Sequence, residues 1–443
     1  MHNNYITITM NARKVFLTAA LFLLVLGFGF AKNEEKKMPS NITISGTAND
    51  DVNYDESKVP HYVLPDVLTC NDGSKVTSAK MWEQKRRQEV LDCLCAQEYG
   101  YTPTAKISVF YKTLSKNKKA LNGKATCEQV RFRFTNGKKD LDAILLMYIP
   151  NKRKGKVPVF VGYNFKGNHS TIADPSVLYS PSMKFVDMDS TRGNQSSRWC
   201  FEKIIDRGYA VVTMCYHDIY PDRPGLIDKS IAALFPDYDL NSTAMDQWKA
   251  IGAWAWGSSR IVDFLETQNW VDKEKIAIMG HSRQGKAALW AGAQDTRFKV
   301  VISNDSGCGG AALFKRVFGE NVAKIITIEP QWFCPRFRLY ANREAEMPFD
   351  QHWLLSLIAP RHLYVASAED DLWADPKGEY LSLYNASPVF KLYGMQGLSS
   401  PEPPAVNSPI MLDVGYHKRT GKHDVTDYDW ERFMDFCDRC FGL

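Results

Sequence analysis

The chain has 443 residues, of which 44% are hydrophobic, 24% charged and 12% aromatic. That composition excludes a disordered, collagen-like or small disulfide-scaffold protein. Lys plus Arg (55) exceed Asp plus Glu (50) by five, an excess too diffuse for a nucleic-acid partner, which needs a basic stripe or patch.

Residues 1–31 read as an export signal. Arg13 and Lys14 precede the apolar run Val15–Phe30, and Gly29-Phe30-Ala31 is a small-x-small cleavage site. The run is short of the ~20 residues that span a bilayer. A secreted or periplasmic protein without a membrane anchor is expected. Removing Arg13 and Lys14 lowers the formal charge from +5 to +3. Export permits disulfides, but the ten cysteines are scattered and show no zinc-type spacing.

Residues 32–80 are polar and predict a flexible arm leading into one domain, residues 81–443. Met81–Tyr99 carries a helical pattern with Trp82, Val90, Leu91 and Leu94 as its apolar positions. Val130–Phe134 and Ala143–Ile149 predict antiparallel strands around Asn136-Gly137. Short apolar runs follow at Val157–Gly162, Tyr209–Met214, Lys275–Met279, Lys299–Ser303 and His362–Ala366. Such runs, separated by helical stretches such as Ala250–Thr267, predict an α/β fold with a mostly parallel sheet covered on both faces.

The chemistry concentrates in Lys275–Gln294, KIAIMGHSRQGKAALWAGAQ. A strand runs into Gly280-His281-Ser282-Arg283 and a helix starts at once. A glycine two residues before a serine at that junction allows a sharp turn that lifts the hydroxyl above the sheet, with helix amides facing a developing oxyanion. The second glycine of Gly-x-Ser-x-Gly is displaced by one, to Gly285. A serine hydroxyl needs a base. Of the nine histidines, His423 sits in a late loop before a terminal helix, where such a base belongs; His417 is the alternative, while His352 and His362 read as packing residues. The acid should follow the strand at His362–Ala366, where Glu369, Asp370 and Asp371 stand in succession, or follow the strand at Lys299–Ser303, as Asp305.

These segments resemble the glucuronoyl esterases, carbohydrate esterases of the α/β-hydrolase superfamily. Gly280-His-Ser-Arg-Gln-Gly-Lys286 is similar to their Gly-Cys-Ser-Arg-x-Gly-Lys signature. Asn164–His169, Asp305–Gly310, Phe318-Gly-Glu320, Asp371–Glu379 and Gly421-Lys-His423 correspond in the same order, so that the likeness covers roughly residues 85–443. His281 replaces a cysteine common in fungal members and points to the bacterial branch. The resemblance implies an α/β-hydrolase fold and hydrolysis of (4-O-methyl-)glucuronate esters, with Ser282 as nucleophile and His423 as base. It places the acid at Asp371 in bacterial members and at Asp305 in fungal ones. It gives Arg283 to the oxyanion and Lys286, Glu320 and Trp373 to the sugar. No metal or cofactor is expected, and the partners implied are a small uronate ester or glucuronoxylan, acted on by a monomer. A carbohydrate deacetylase on the same fold and a non-catalytic glycan-binding protein are the competing readings.

Overall fold

The computed structural model describes residues 52–183 and 189–443. The export signal and the first part of the arm lie outside the described residues.

Ten strands form one sheet: β1 (Ser108–Ala120), β2 (Ala125–Thr135), β3 (Asp140–Pro150), β4 (Val157–Asn164), β5 (Ala210–Cys215), β6 (Val271–His281), β7 (Val300–Asn304), β8 (His362–Ala368), β9 (Ile410–Met411) and β10 (Val414–Arg419). Their order is β1-β2-β3-β5-β4-β6-β7-β8-β10-β9. From β5 to β10 the neighbours run parallel. β1, β2 and β3 form an antiparallel extension, joined to β5 in antiparallel sense. This is the α/β-hydrolase architecture. The five apolar runs lie in β4 to β8, and the turn at Asn136-Gly137 joins β2 to β3.

Side chains of the parallel strands alternate between two cores. Ile276 and Ile278 of β6 face one core, with the helices Ala250–Leu265, Arg283–Gln294 and Pro376–Lys391. Ala277 and Met279 face the other, with Phe201–Asp206 and Asp427–Phe441. Both faces are therefore covered, which is why these strands read as unbroken apolar runs.

The outer strand β1 carries Lys112, Lys116, Lys118 and Lys119 along its exposed positions, and its pairing with β2 is interrupted twice, between Thr113 and Ser115 and between Asn117 and Ala120. The helical stretch at Ala79–Tyr99 is real and includes two π turns, Trp82–Arg86 and Cys95–Tyr99. Trp82, Val90 and Leu94 are fully buried. All ten cysteines are unbridged.

One expectation fails. Residues 52–80 were expected to be part of a flexible arm, and they are docked on the domain. Val67, Cys70 and Val76 are buried. The Pro65 carbonyl accepts from the His352 and Trp353 side chains, at 2.9 and 3.1 Å. Glu56 accepts from Arg316 at 2.7 Å and Lys377 at 2.8 Å, and the Asn53 carbonyl accepts from the Gly319 amide at 2.9 Å. A few apolar anchors and long-range polar pairs order a segment whose average composition is that of a loop.

Candidate active site

Ser282 links β6 to the helix Arg283–Gln294 with φ 56° and ψ −130°. A non-glycine residue at that φ is strained, and such strain gathers at functional positions. The turn is tight enough that a Cβ on Gly280 would lie 1.9 Å from the Gln284 carbonyl oxygen. A Cβ on Gly285 would lie 2.8 Å from that of Ser306. The displaced glycine thus serves the close approach of the helix to the loop after β7. The Ser282 amide donates to the Asn304 carbonyl at 2.9 Å and anchors the turn to that strand.

Ser282 and His423 line one cavity of about 360 Å³ at the C-terminal ends of the parallel strands. Arg283, Lys286, Asp305, Glu320, Asp371 and Trp373 line it too. The candidate nucleophile, the preferred base, two of the candidate acids and the oxyanion and sugar candidates are therefore brought together, whereas Glu369, Asp370 and His417 do not line the cavity.

His423 Nδ1 stands 2.6 Å from Asp371 Oδ2. Of the three successive acids, Asp370 is exposed, Glu369 half-buried and Asp371 buried. Asp305 is also buried, its Oδ2 3.5 Å from Arg419 and its Oδ1 without a partner. Burial, with Glu379 and Asp371 adding to it, pushes the Asp305 carboxyl well above the usual carboxylate range. Donor atoms of Asp305, Asp371 and His423 lie within 4.8 Å of one another, the one set among the described residues grouped closely enough to ligate a metal ion. His417 sits on β10, fully buried between Tyr364 and Asp429, and takes a structural part.

Lys286 is buried and donates to the carbonyls of Ser306 and Cys308, both at 2.6 Å, with Glu320 Oε2 3.6 Å away. The Glu320 amide donates to the Trp373 carbonyl at 2.8 Å, which ties the two residues together. Burial raises the Glu320 carboxyl above its usual range against the pull of Lys286. Arg283 pairs with Asp222 through Nη1, and its Nε is buried without a partner. It also stacks 4.8 Å over the Trp332 ring.

Residues 198–394 match the family described as glucuronyl esterase, fungi. A carbohydrate esterase from an unknown prokaryotic organism is 43% identical over 397 residues, covering 87% of this chain and 91% of that protein. The solved glucuronoyl esterase of Solibacter usitatus superposes with a TM-score of 0.82 at 42% identity, over 87% of this chain and 100% of that one. The chain belongs to the glucuronoyl esterase family. A solved family-15 carbohydrate esterase from the marine bacterial metagenome, described as promiscuous, gives a TM-score of 0.81 at 41% identity over 88% of this chain and 100% of its own. As a glucuronoyl esterase, the protein is a carboxylic ester hydrolase.

Several residues of this esterase's cleft had no sequence signal. Asp222 lies 61 positions before Arg283, and its carboxylate also accepts from Trp332, Gln331 and Tyr216. Burial disfavours its charge, yet the Arg283 guanidinium and these hydrogen bonds hold its carboxyl below the usual range. Glu329 and Trp332 complete that wall of the cavity. Glu379 appeared in the matched segments without a role. It is buried beneath the loop after β7, accepting from the Ser306 and Gly307 amides at 2.8 and 2.9 Å and from the Ser367 hydroxyl at 2.6 Å. Burial pushes its carboxyl up to about 8.

Proposed function

We propose that the protein hydrolyses esters of (4-O-methyl-)glucuronic acid through a Ser282–His423–Asp371 triad and a glucuronoyl-enzyme intermediate. The observation that carries this reading is the 2.6 Å pair of His423 Nδ1 with Asp371, in one cavity with a strained Ser282. With Nδ1–H donated to the carboxylate, Nε2 is left as the acceptor for the serine proton.

In this mechanism Ser282 Oγ attacks C6 of the uronate and gives its proton to His423. The oxyanion forms beside the N-terminus of the helix Arg283–Gln294, where backbone amides and the unpartnered Nε of Arg283 supply donors. His423 then protonates the leaving alcohol. Water, deprotonated by the same imidazole, attacks the acyl-enzyme, and the tetrahedral intermediate releases glucuronate and restores the serine. The hydroxyl is activated by a base, so the chemistry requires no metal. Lys286, Glu320 and Trp373 line the same cavity and would hold the sugar, with Trp373 offering a flat face to the pyranose. The solved relative from Solibacter usitatus is a glucuronoyl esterase, and the Schizophyllum commune relative, 27% identical over 390 residues, is a 4-O-methyl-glucuronoyl methylesterase. Both support the uronate as the acyl group.

We read the natural setting as lignin–carbohydrate esters on glucuronoxylan, met by an exported monomer. Among the described residues no helix is long and apolar enough to cross a membrane. The promiscuity attributed to the marine relative makes acetylated sugars worth assaying beside uronates. Ser282→Ala should abolish hydrolysis of methyl and benzyl glucuronates, measured as acid release. Near-normal turnover in that variant, or rapid deacetylation of xylan with no turnover of uronate esters, would falsify the proposal.

A further inference from the structure

His281 stands at the end of β6, directly before the nucleophile, and is buried. Its ring lies against the His423 imidazole, with centroids 4.4 Å apart and planes inclined by 40°. Phe165 meets the His281 ring edge-on at 6.1 Å. Nδ1 of His281 is 2.8 Å from the Asn304 side-chain amide, and that same amide donates to the Asp424 carbonyl at 3.0 Å, one residue beyond the base.

The His423 backbone is held independently. Arg419, buried on β10, donates to the carbonyls of Lys422 and Asp424 at 3.0 and 2.7 Å. Asp371 fixes one nitrogen of the ring. The ring is nonetheless 40% exposed, and rotation about its side-chain bonds would carry Nε2 away from the serine. A ring packed against the imidazole resists that rotation, and the one in contact here, tilted by 40°, is covalently next to Ser282.

Resting on the Ser282–His423 reading above, we propose that His281 is a positioning residue for ester hydrolysis: its ring is the platform that keeps the His423 imidazole aligned with the nucleophile. The platform is uncharged. Burial first, then the cationic forms of His423, Arg198 and Arg419, drives the His281 imidazole well below its usual range, while Asp305 Oδ2 at 4.0 Å is the acid that faces it. A neutral ring does not repel the imidazolium that His423 becomes as the serine proton arrives.

Two near-isosteric variants separate the ring from its hydrogen bond. His281→Phe keeps a ring and loses the acceptor for Asn304. His281→Gln keeps an acceptor and loses the ring. Activities on benzyl glucuronate are normalised to the fraction of enzyme titrated by a fluorophosphonate, so misfolded protein does not count. His281→Gln should lose about 10- to 100-fold in kcat with KM unmoved, as expected for a misaligned catalytic group, and should label more slowly. His281→Phe should keep most of kcat. If the Gln variant is as fast as the Phe variant, or loses its activity through KM, the platform role is overturned. Ser282→Ala is run alongside: activity surviving there sinks the triad reading itself, a result distinct from either outcome at position 281.

Discussion

Two carboxylates approach the imidazole of His423, and their surroundings suit them to different work. Asp371 touches the ring, whereas Asp305 faces Arg419 and keeps one oxygen unpartnered in the interior. Asp371→Asn should therefore lower kcat by about 10⁴-fold, the loss seen when an amide forces the wrong tautomer. Asp305→Asn should cost much less, since no ring nitrogen depends on it. Equal losses in the two variants, assayed on one uronate ester, would contradict this assignment. With Arg283 in its proposed oxyanion role, Arg283→Ala should raise the barrier by about 2.7–4 kcal/mol. Asp222 grips the same guanidinium through Nη1, so Asp222→Asn should also lower kcat, by less than removal of the arginine. The Asp222 backbone amide donates to His217 Nδ1 at 3.0 Å, and burial keeps that imidazole down at about 4, neutral in the physiological range.

At the scale of elements, the docked segment after Val52 has a functional consequence. Asn53 and Glu56 grip Gly319 and Arg316, the stretch that leads into Glu320. Glu56→Ala should loosen that stretch and raise KM about fivefold, the equivalent of about 1 kcal/mol, while kcat holds. Steady-state kinetics on methyl glucuronate would show it, and an unchanged KM would mean that the segment only packs. The elements most legible in the sequence were β4 to β8, because strands buried on both faces are apolar throughout. β1 was missed because its lysine-rich outer face breaks any apolar run. β10 was missed because His417, Lys418 and Arg419 read as polar loop. Asp429, contributed by the terminal helix, accepts from two of those three side chains and makes their burial tolerable. The elbow at Ser282 and the loop of His423 were legible from local spacing. The choice of Asp371 from three successive acids rested on family resemblance, since only the folded chain distinguishes a buried acid from its less buried neighbours. Asp222 left no trace at all, because its partners are brought together by the fold alone.

For the whole molecule, acid stability is set partly by histidines kept neutral inside. His352 is buried, and that burial holds its imidazole down at about 4. Its folded value lies below the unfolded one of 6.5, so the unfolded chain takes up the proton more readily. The associated stability is fully present above about pH 6.5 and declines as the pH falls toward 4, by about 3 kcal/mol across that window. Thermal unfolding followed from pH 7 to 4 should show the decline, and His352→Gln should flatten it. A variant with an unaltered pH profile would place the acid sensitivity elsewhere.

The lysines of β1 also bear on how molecules behave toward each other. A thirteen-residue border strand is a template for a second sheet, and mutual repulsion between like-charged rims, together with two interruptions of its pairing, works against its use. Ionic screening or lysine acetylation weakens the repulsion while leaving the strand intact. Concentrated solutions of acetylated protein should therefore form rim-to-rim associations, seen as a rise in scattered light, and variants that shorten the border by proline insertion should remain clear.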